Sequence, residues 1–183
     1  MEDPSSLKIA VLGTGANGSS IGADLTKAGL DTTLIDQWPA HVEAMKANGL
    51  DITLPDEHLT ISVNAWHLCE LAEHVPAFDI VFVVCKAYDT RWLVQLIEPY
   101  LKKDGLCVGL QNSLTHTIIA DVVSAERTIG AVVELSSALF TPGVVTRNTT
   151  RPGTWFGFGE IDGSISPRVE RVRSLIANVA TAE

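Results

Sequence analysis

The sequence predicts a doubly wound α/β domain, in which a mostly parallel sheet is covered by helices on both faces. Short apolar runs such as Ile80–Cys85 alternate with segments of helical periodicity, and that alternation is typical of a parallel sheet. A glycine-rich turn, Gly13–Gly18, joins the first run to the first helical segment. The 183 residues, 46% of them hydrophobic, are enough for one domain with a substantial core.

The first elements follow from local patterns. They are a strand over 7–12, a helix over 16–28, a strand over 31–36 and a helix over 39–48. Gly29 and Gly49 each follow a helix, where glycine commonly ends one, and Pro39 suits a first helical turn. Together they predict a β-α-β-α beginning.

The middle of the chain continues the alternation after one irregular segment. Residues 50–63 contain two β-rich pieces around "PDEH" and predict a hairpin. The elements predicted next are a short helix over 67–74, a strand over 79–85, a helix over 91–101, a strand over 105–110, a helix over 114–123 and a strand over 128–135.

The character of the chain changes at Ser137. "ALFTPGVVTRN" and "TWFGFG" are β-rich and carry Pro-Gly turns, which predicts antiparallel strands at one end of the sheet. Ser166 as cap, Pro167 in the first turn and an apolar stripe up to Val179 predict a last helix. We find no repeat and no linker, so we expect a single domain over 1–183 with an ordered core over 7–180.

Charge and cysteine content exclude several classes of partner. The formal net charge of −9 repels phosphate backbones and anionic membranes, so we expect no nucleic-acid and no membrane partner. The acidic start "MEDPSSLK" is unlike a secretory signal. Cys85 and Cys107 lie in apolar runs and are expected to be small buried hydrophobes. With Cys69 the chain has three cysteines, an odd number without metal-ligand spacing. A reduced, cytoplasmic location is the expectation.

The turn "GTGANG" matches the G-x-G-x-x-G pattern between a strand and a helix, which is typical of Rossmann-like dinucleotide sites. Gly13 allows the tight turn, Gly15 lets a pyrophosphate approach the backbone, and Gly18 permits close packing of helix on strand. The amides of the turn, which also contains Thr14, Ala16 and Asn17, would bind the phosphates with the helix dipole. A glycine-rich turn without a ligand is the alternative.

Asp36 ends the second strand and is the second part of this pattern. An acid there reaches the ribose hydroxyls of the adenosine half, and it repels a 2′-phosphate, which favours NADH over NADPH. The alternative is that Asp36 only caps the following helix.

Lys86 and Asn112 follow two strands that we expect to be neighbours. Ligands of open α/β sheets bind outside the carboxyl ends of the strands, so both residues are candidates for contact with cofactor and substrate. A solvated strand end for Lys86 and a turn former for Asn112 are the alternatives. The five histidines fit no metal-ligand spacing, so no metal site is expected, and His116, the nearest to this edge, is interpreted as a helix-surface residue.

Four segments together resemble the ketopantoate reductase (2-dehydropantoate 2-reductase) family. They are "KIAVLGTGANGSSIGADLTKAGLDTTLID", "VFVVCKAYDT", "GLQNSLT" and "VVELSSALFTPGVVTRN", and the resemblance runs from Lys8 to about Val179. It implies an oxidoreductase of pantothenate biosynthesis that reduces ketopantoate, usually with NADPH. It also implies that Lys86 and Asn112 match the lysine and asparagine that lie by cofactor and substrate, and that Glu134–Ala138 lines the cofactor again.

The chain departs from the family in three respects. Ser113 stands where the family often has glycine, and Asp36 stands where NADPH-using members tend to have a basic residue nearby. Family members also continue into a C-terminal helical domain, which carries the lysine that acts as general acid. We therefore expect no catalytic proton donor among these 183 residues, and we expect the chain to bind a dinucleotide but to reduce ketopantoate weakly.

These observations leave three functional hypotheses. The first is the NAD(P)H-binding part of a reductase of ketopantoate or a similar small-molecule 2-keto acid. The second is a related NAD-dependent dehydrogenase of another hydroxy acid, and the third is a non-catalytic NAD(H)-binding module. An apolar surface left by the absent helical domain would also promote self-association, for instance as a homodimer.

Overall fold

The computed structural model describes residues 6–177 and 179–182, which form two sheets and six helices. The strands and helices follow each other as β1 (Lys8–Leu12), α1 (Ala16–Lys27), β2 (Asp31–Asp36), α2 (Pro39–Asn48), β3 (Leu50–Thr53), β4 (His58–Ile61), β5 (Asn64–His67), α3 (Glu70–His74), β6 (Phe78–Val83), α4 (Thr90–Ile97), β7 (Leu101–Leu110), α5 (Thr115–Val123), β8 (Thr128–Glu134), β9 (Ser137–Thr141), β10 (Val144–Arg147), β11 (Trp155–Gly159), α6 (Pro167–Ile176) and β12 (Thr181–Ala182).

The main sheet has eight strands in the order β12-β11-β8-β7-β6-β1-β2-β5. The six strands from β8 to β5 are parallel, and β11 runs antiparallel to β8 with β12 parallel to β11. The predicted fold class, a mostly parallel sheet with antiparallel strands at one end, is confirmed. From β1 the chain continues to β2 on one side of β1, and it later adds β6 on the other side, so the direction in which strands are added reverses at β1. A crevice opens at the carboxyl ends of the strands where this reversal occurs.

Helices cover both faces of this sheet because its central strands are apolar on both sides. On one face, residues of β1 and β7 pack with Ile21 and Leu25 of α1 and with the predicted stripe of α6. On the other face, β6 packs with Leu93 of α4 and Ile119 of α5. The cap of α6 is confirmed, since Ser166 Oγ accepts from the amide of Val169 at 3.3 Å.

The hairpin β9–β10 does not lie at the end of the main sheet, and that expectation was wrong. It belongs to a second sheet of order β4-β3-β10-β9, in which β10 runs parallel to β3 and β3–β4 is the predicted hairpin. This arrangement buries Val145 with Ile52, and with Ala23 of α1, in a cluster of its own. The hairpin thereby packs against α1, the helix that follows the glycine-rich turn.

Smaller differences occur at element boundaries. The sequence pattern did not predict the short strands β5 and β12. The helix predicted over 91–101 ends as an α-helix at Ile97, because Pro99 stands in a single 3₁₀ turn before β7 begins at Leu101. The strand predicted over 79–85 ends at Val83, which leaves Cys85 in the connection to α4.

A buried ion network joins the second sheet to α1. Asp24 of α1 is 4% exposed and accepts from Arg147 Nη1 at 2.5 Å and from Arg151 Nη2 at 2.7 Å. Arg147 donates further to Thr154 Oγ1 at 2.7 Å, and Arg151 also pairs with Glu57 in the β3–β4 turn. Because each buried charge has several partners, the cost of removing it from water is offset by charge-assisted hydrogen bonds.

The amino terminus was interpreted as unlike a secretory signal. That interpretation concerns mainly residues 1–5, which lie outside the described residues. Within 6–177 and 179–182, no helix has the length and apolar character that a membrane crossing requires. The prediction of one domain with an ordered core over 7–180 stays a prediction.

Candidate functional site

A cleft of about 530 Å³ lies at the carboxyl ends of the strands β1, β6 and β7. Its floor is the reversal point of the main sheet, and its walls come from the glycine-rich turn, the β2–α2 connection and the loops after β6 and β7. This is the location predicted for a ligand from the topology of open α/β sheets.

The three glycines of the turn differ in their surroundings: Gly13 and Gly18 are closely packed, and Gly15 is open. Gly13 has φ +88°, and a Cβ there would lie 2.6 Å from the Cα of Cys85. A Cβ on Gly18 would lie 2.3 Å from the carbonyl oxygen of Gly13. A Cβ on Gly15, in contrast, would meet no described atom within 4 Å beyond its own neighbours in the chain, so free space lies directly over this backbone.

The first turn of α1 faces this free space with unpaired amides. No side chain among the described residues caps the helix N-terminus at Gly15. Ala16 and Asn17 line the cleft, and the side chain of Asn17 accepts from Ser137 Oγ at 2.6 Å. Thr14, also predicted as a site residue, is buried and not among the lining residues. An uncapped helix start beside open space is suited to an anion.

Asp36 lies at the end of β2, 8% exposed, and lines the cleft. Its Oδ1 accepts from the amide of Trp38 at 2.8 Å, so the alternative role of Asp36 at the start of α2 is present in the structure. Its second oxygen has no hydrogen-bond partner among the described residues, and it stays available to a ligand. Both roles predicted for this carboxylate are therefore compatible.

Lys86 follows β6 at the edge of the cleft and is exposed. Its ammonium makes no hydrogen bond or ion pair with any described residue, and it is the only cationic side chain among the described residues that line the cleft. Asp36 and Asp89 are the lining carboxylates, and Asp89 accepts from the indole of Trp92 at 2.8 Å. A single unpaired ammonium group in a cleft whose other charged side chains are acidic is suited to bind one carboxylate of a ligand.

Asn112 lies in the loop after β7 and is paired with the backbone of β8. Its Nδ2 donates to the carbonyl of Val133 at 2.8 Å, and its Oδ1 accepts from the amide of Val133 at 2.9 Å. This two-point bond fixes the loop, and it leaves one N–H and one lone pair of Asn112 for a ligand. The structure thus places both predicted strand-end residues on one cleft, with Asn112 more tied down than expected.

Gln111 is a site residue that the sequence analysis passed over. It is 6% exposed, and its Nε2 donates to the carbonyl of Cys85 at 2.6 Å while its Oε1 accepts from Thr115 Oγ1 at 2.6 Å. It joins the loop after β6, which carries Lys86, to the loop after β7, which carries Asn112. Only its place next to Asn112 in the sequence could have indicated it.

Cys85 lines the cleft, and its thiol is largely buried. Burial raises the pKa of its thiol to about 11, against weaker opposing hydrogen bonds from Thr90 and Gln111. The expectation that Cys85 and Cys107 are buried hydrophobes is confirmed, and Cys107 is fully buried. Cys69 is exposed.

His41 lies behind the wall of the cleft and is bonded to the glycine-rich turn, although it does not line the cleft itself. It is fully buried at the start of α2, and its Nε2 lies 2.9 Å from the carbonyl oxygen of Thr14 and 3.0 Å from Ser19 Oγ. Its Nδ1 accepts from the amide of Gly143 at 2.9 Å. His116 is half-buried on α5 and does not line the cleft, so its interpretation as a surface residue holds only in part. Within the described ranges, no group of His, Cys, Asp and Glu is arranged to hold a metal ion.

The fold and the cleft define a Rossmann-like α/β domain with a glycine-rich turn at the reversal point of its sheet. Residues 9–160 match the family described as ketopantoate reductase PanE/ApbA, and the chain belongs to that family. It is 34% identical over 132 residues to a 2-dehydropantoate 2-reductase of a Nostoc species, covering 71% of this chain and 40% of that protein. Over 110 residues it is 32% identical to the 2-dehydropantoate 2-reductase of Lactococcus lactis, covering 60% of this chain and 35% of that one.

Solved structures agree with this assignment. The structure of 2-dehydropantoate 2-reductase from Geobacter metallireducens matches with a TM-score of 0.84 at 26% identity, covering 97% of this chain and 58% of that chain. D-mandelate dehydrogenase in a ternary structure with NADH and anilino(oxo)acetate matches with a TM-score of 0.83 over 97% of this chain and 56% of that one; at 22% identity this is a likeness of fold. The chain thus spans between about a third and about three fifths of the length of these relatives.

The contrast between Gly13 and Gly15 gives a prediction about stability. Gly13→Ala should lower the free energy of unfolding by about 2–4 kcal/mol, because the methyl group collides with backbone at a positive φ. Gly15→Ala, with φ −61° and free space, should lower it by no more than about 1 kcal/mol, the usual cost of alanine at a helix N-cap. Urea denaturation followed by circular dichroism measures both. Equal stability of the two variants would contradict the close packing of the turn on the end of β6.

Proposed function

We propose that the cleft binds NAD(P)H and that this chain is the cofactor-binding part of a reductase of ketopantoate or a similar 2-keto acid. The observation that carries the proposal is the free space over Gly15 beside the uncapped start of α1, with a carboxylate at the end of β2. A pyrophosphate suits the first feature, and ribose hydroxyls suit the second.

The residues present fit a dinucleotide along the whole cleft. The amides of the turn would hold the pyrophosphate, and the free oxygen of Asp36 would accept from ribose hydroxyls. Lys86, Asn112 and Ser137 also line the cleft and would be available to the rest of the cofactor and to a substrate. The nicotinamide supplies the hydride chemistry when the cofactor is bound.

Lys86 and Asn112 are proposed to bind and orient the keto acid. The free ammonium of Lys86 would attract the carboxylate, and the remaining N–H of Asn112 would donate to its keto oxygen or to the cofactor. Lys86 is proposed as a positioning charge, not as the proton donor of the reaction. The likeness of the chain to several 2-dehydropantoate 2-reductases supports this substrate class.

One observation favours the alternative of a non-catalytic NAD(H)-binding module. Asn112, the residue expected to orient the substrate, already makes two hydrogen bonds to the backbone of Val133. In a module without chemistry, Asn112 would only hold the loop, and Lys86 would have no carboxylate to bind. The keto-acid experiment below separates the two functions.

Binding of the cofactor is tested with Gly15→Ala. The wild-type chain should bind NADH or NADPH, and the added methyl group should weaken binding at least about tenfold, because it fills the space that the pyrophosphate needs. Nicotinamide fluorescence titration measures the Kd. Gly159→Ala is the matched control, since a Cβ there has its nearest contact at 3.9 Å and lies outside the cleft. Absence of binding by the wild-type chain would refute the proposal.

The choice of cofactor is tested with Asp36→Asn. We propose that the wild-type chain prefers NADH, because the carboxylate repels a 2′-phosphate. The asparagine keeps an oxygen that can accept from the Trp38 amide and removes only the charge. The ratio of the NADPH Kd to the NADH Kd should fall by about tenfold, or 1.4 kcal/mol. An unchanged ratio would show that Asp36 acts only at the start of α2.

The role of Lys86 is tested by calorimetric titration of ketopantoate into the chain saturated with NAD⁺. Lys86→Ala should weaken keto-acid binding by about 10–100-fold, the range for losing a charged hydrogen bond, with the NADH Kd unchanged. Lys103→Ala, at an exposed lysine outside the cleft, should change neither. If the wild-type chain binds NADH but no keto acid, the non-catalytic module is the better description.

A further inference from the structure

The ring of His41 joins three segments that are far apart in the sequence. It contacts the carbonyl of Thr14 in the glycine-rich turn, the hydroxyl of Ser19 in α1, and the amide of Gly143 in the β9–β10 turn. All of these groups are buried, so each of the bonds replaces a lost bond to water.

The partners of His41 determine its tautomer. The amide of Gly143 can only donate, so Nδ1 must be the acceptor and carry no proton. In the neutral ring the proton then sits on Nε2 and is donated toward Thr14 O, with Ser19 Oγ at a similar distance. The hydroxyl of Ser19 also donates to Thr14 O, at 2.7 Å. The carbonyl oxygen of Thr14 therefore accepts hydrogen bonds from two donors that lie in the protein interior.

Holding this carbonyl also fixes the amide of Gly15. Thr14 O and the N–H of Gly15 belong to one peptide plane, and the described chain has no cis peptide bond. In a trans peptide the C=O and the following N–H point in opposite directions. With the oxygen turned to the interior, the Gly15 amide is turned away from it, and Gly15 is the exposed residue of the turn beside free space in the cleft.

The same ring connects this peptide to other walls of the cleft. Trp38, which lines the cleft next to Asp36, stacks on His41 with ring centroids 5.7 Å apart and an angle of 30°. Beyond Gly143, the β9–β10 hairpin reaches Asn17 through Ser137. His41 is thus placed where the turn, the β2–α2 connection and the hairpin meet.

We propose that His41 is a positioning residue for the pyrophosphate of the dinucleotide, because it holds the Thr14–Gly15 peptide in the orientation that presents the Gly15 amide to the cleft. The inference rests on the proposed cofactor binding and deepens it. His41 acts through the peptide and does not line the cleft itself.

Two conservative variants separate this role from a merely structural one. In His41→Gln the amide nitrogen can reach the position of Nε2 and donate to Thr14 O, while the acceptor for Gly143 is lost. In His41→Asn the amide oxygen can take the position of Nδ1 and accept from Gly143, while the donor to Thr14 is lost. Each variant thus keeps one half of the bonds of the ring.

The expected result is an unequal effect on cofactor affinity. His41→Gln should keep the Kd for NADH and for NADPH within about threefold of the wild type, and His41→Asn should raise both by about tenfold or more. The free energy of unfolding, measured in urea on the same samples, should fall in both variants. His58→Asn, at an exposed histidine paired with Asp51, is the control and should leave the affinity unchanged.

The pH profile provides a second readout. Burial lowers the pKa of His41, against the nearby Asp36 carboxylate and the Thr14 carbonyl, which raise it. Ser19, Trp38 and Gly143, which also face the ring, are uncharged. The neutral ring therefore stabilises the fold fully above about pH 6.5, the ordinary imidazole pKa, and stability is lost as the pH falls below it, because the unfolded chain takes up the proton more readily.

Below the lowered pKa of the folded protein, a proton on Nδ1 would displace the Gly143 amide and keep the Nε2 donor to Thr14, as His41→Gln does. The NADH affinity of the folded wild type should therefore stay within about threefold in acid, while the loss of stability in acid should be smaller in His41→Gln. Equal losses of affinity in the Gln and Asn variants, or full affinity in His41→Asn, would overturn the inference about His41. The proposed function would stand in that case, because it depends only on NADH or NADPH binding by the wild type. If His41→Asn does not fold, the NADH affinities of His41→Gln and of the wild type in acid decide: a loss well beyond threefold in either overturns the inference. If the wild-type chain binds neither NADH nor NADPH, both proposals fail.

Discussion

The structure depends on the close approach of the glycine-rich turn to the end of β6. Gly13 packs so tightly on Cys85 that a Cβ would lie 2.6 Å from its Cα, and the positive φ of Gly13 is what lets the chain turn there. This contact brings the start of α1 and the residue after Cys85, which is Lys86, to the same cleft. The uncapped start of α1 and the side chain of Lys86 share one cavity as a result.

The second sheet gives α1 a rigid support on its far side. The buried pair of Asp24 and Arg147 crosses from α1 to the end of β10, and removing either partner from such a pair would leave a buried charge without compensation. The hairpin also supplies the Gly143 amide to His41 and Ser137 to Asn17. The glycine-rich turn and the first turn of α1 are therefore fixed by contacts on their interior side, while their other side faces the open cleft.

Much of the fold could be predicted because most elements are specified locally. The apolar runs of β1, β6 and β7, the glycines after α1 and α2, and the capping Ser166 act within a few residues. The placement of β9–β10 could not be predicted, because pairing with β3 joins residues about ninety positions apart, such as Val144 with Asp51. Strands as short as β5 carry too few residues for a periodic pattern.

By itself, the sequence determined the class of fold, the turn at Gly13–Gly18 and the positions of Asp36, Lys86 and Asn112 at strand ends, because these follow from local pattern and from the geometry of parallel sheets. Only the tertiary structure decided that Gln111 and His41 organise the cleft and that Asn112 is tied to Val133. The bonds of His41 join it to residues 27 and 102 positions away. Such partners become neighbours only after folding, and the need to satisfy buried polar groups then selects them.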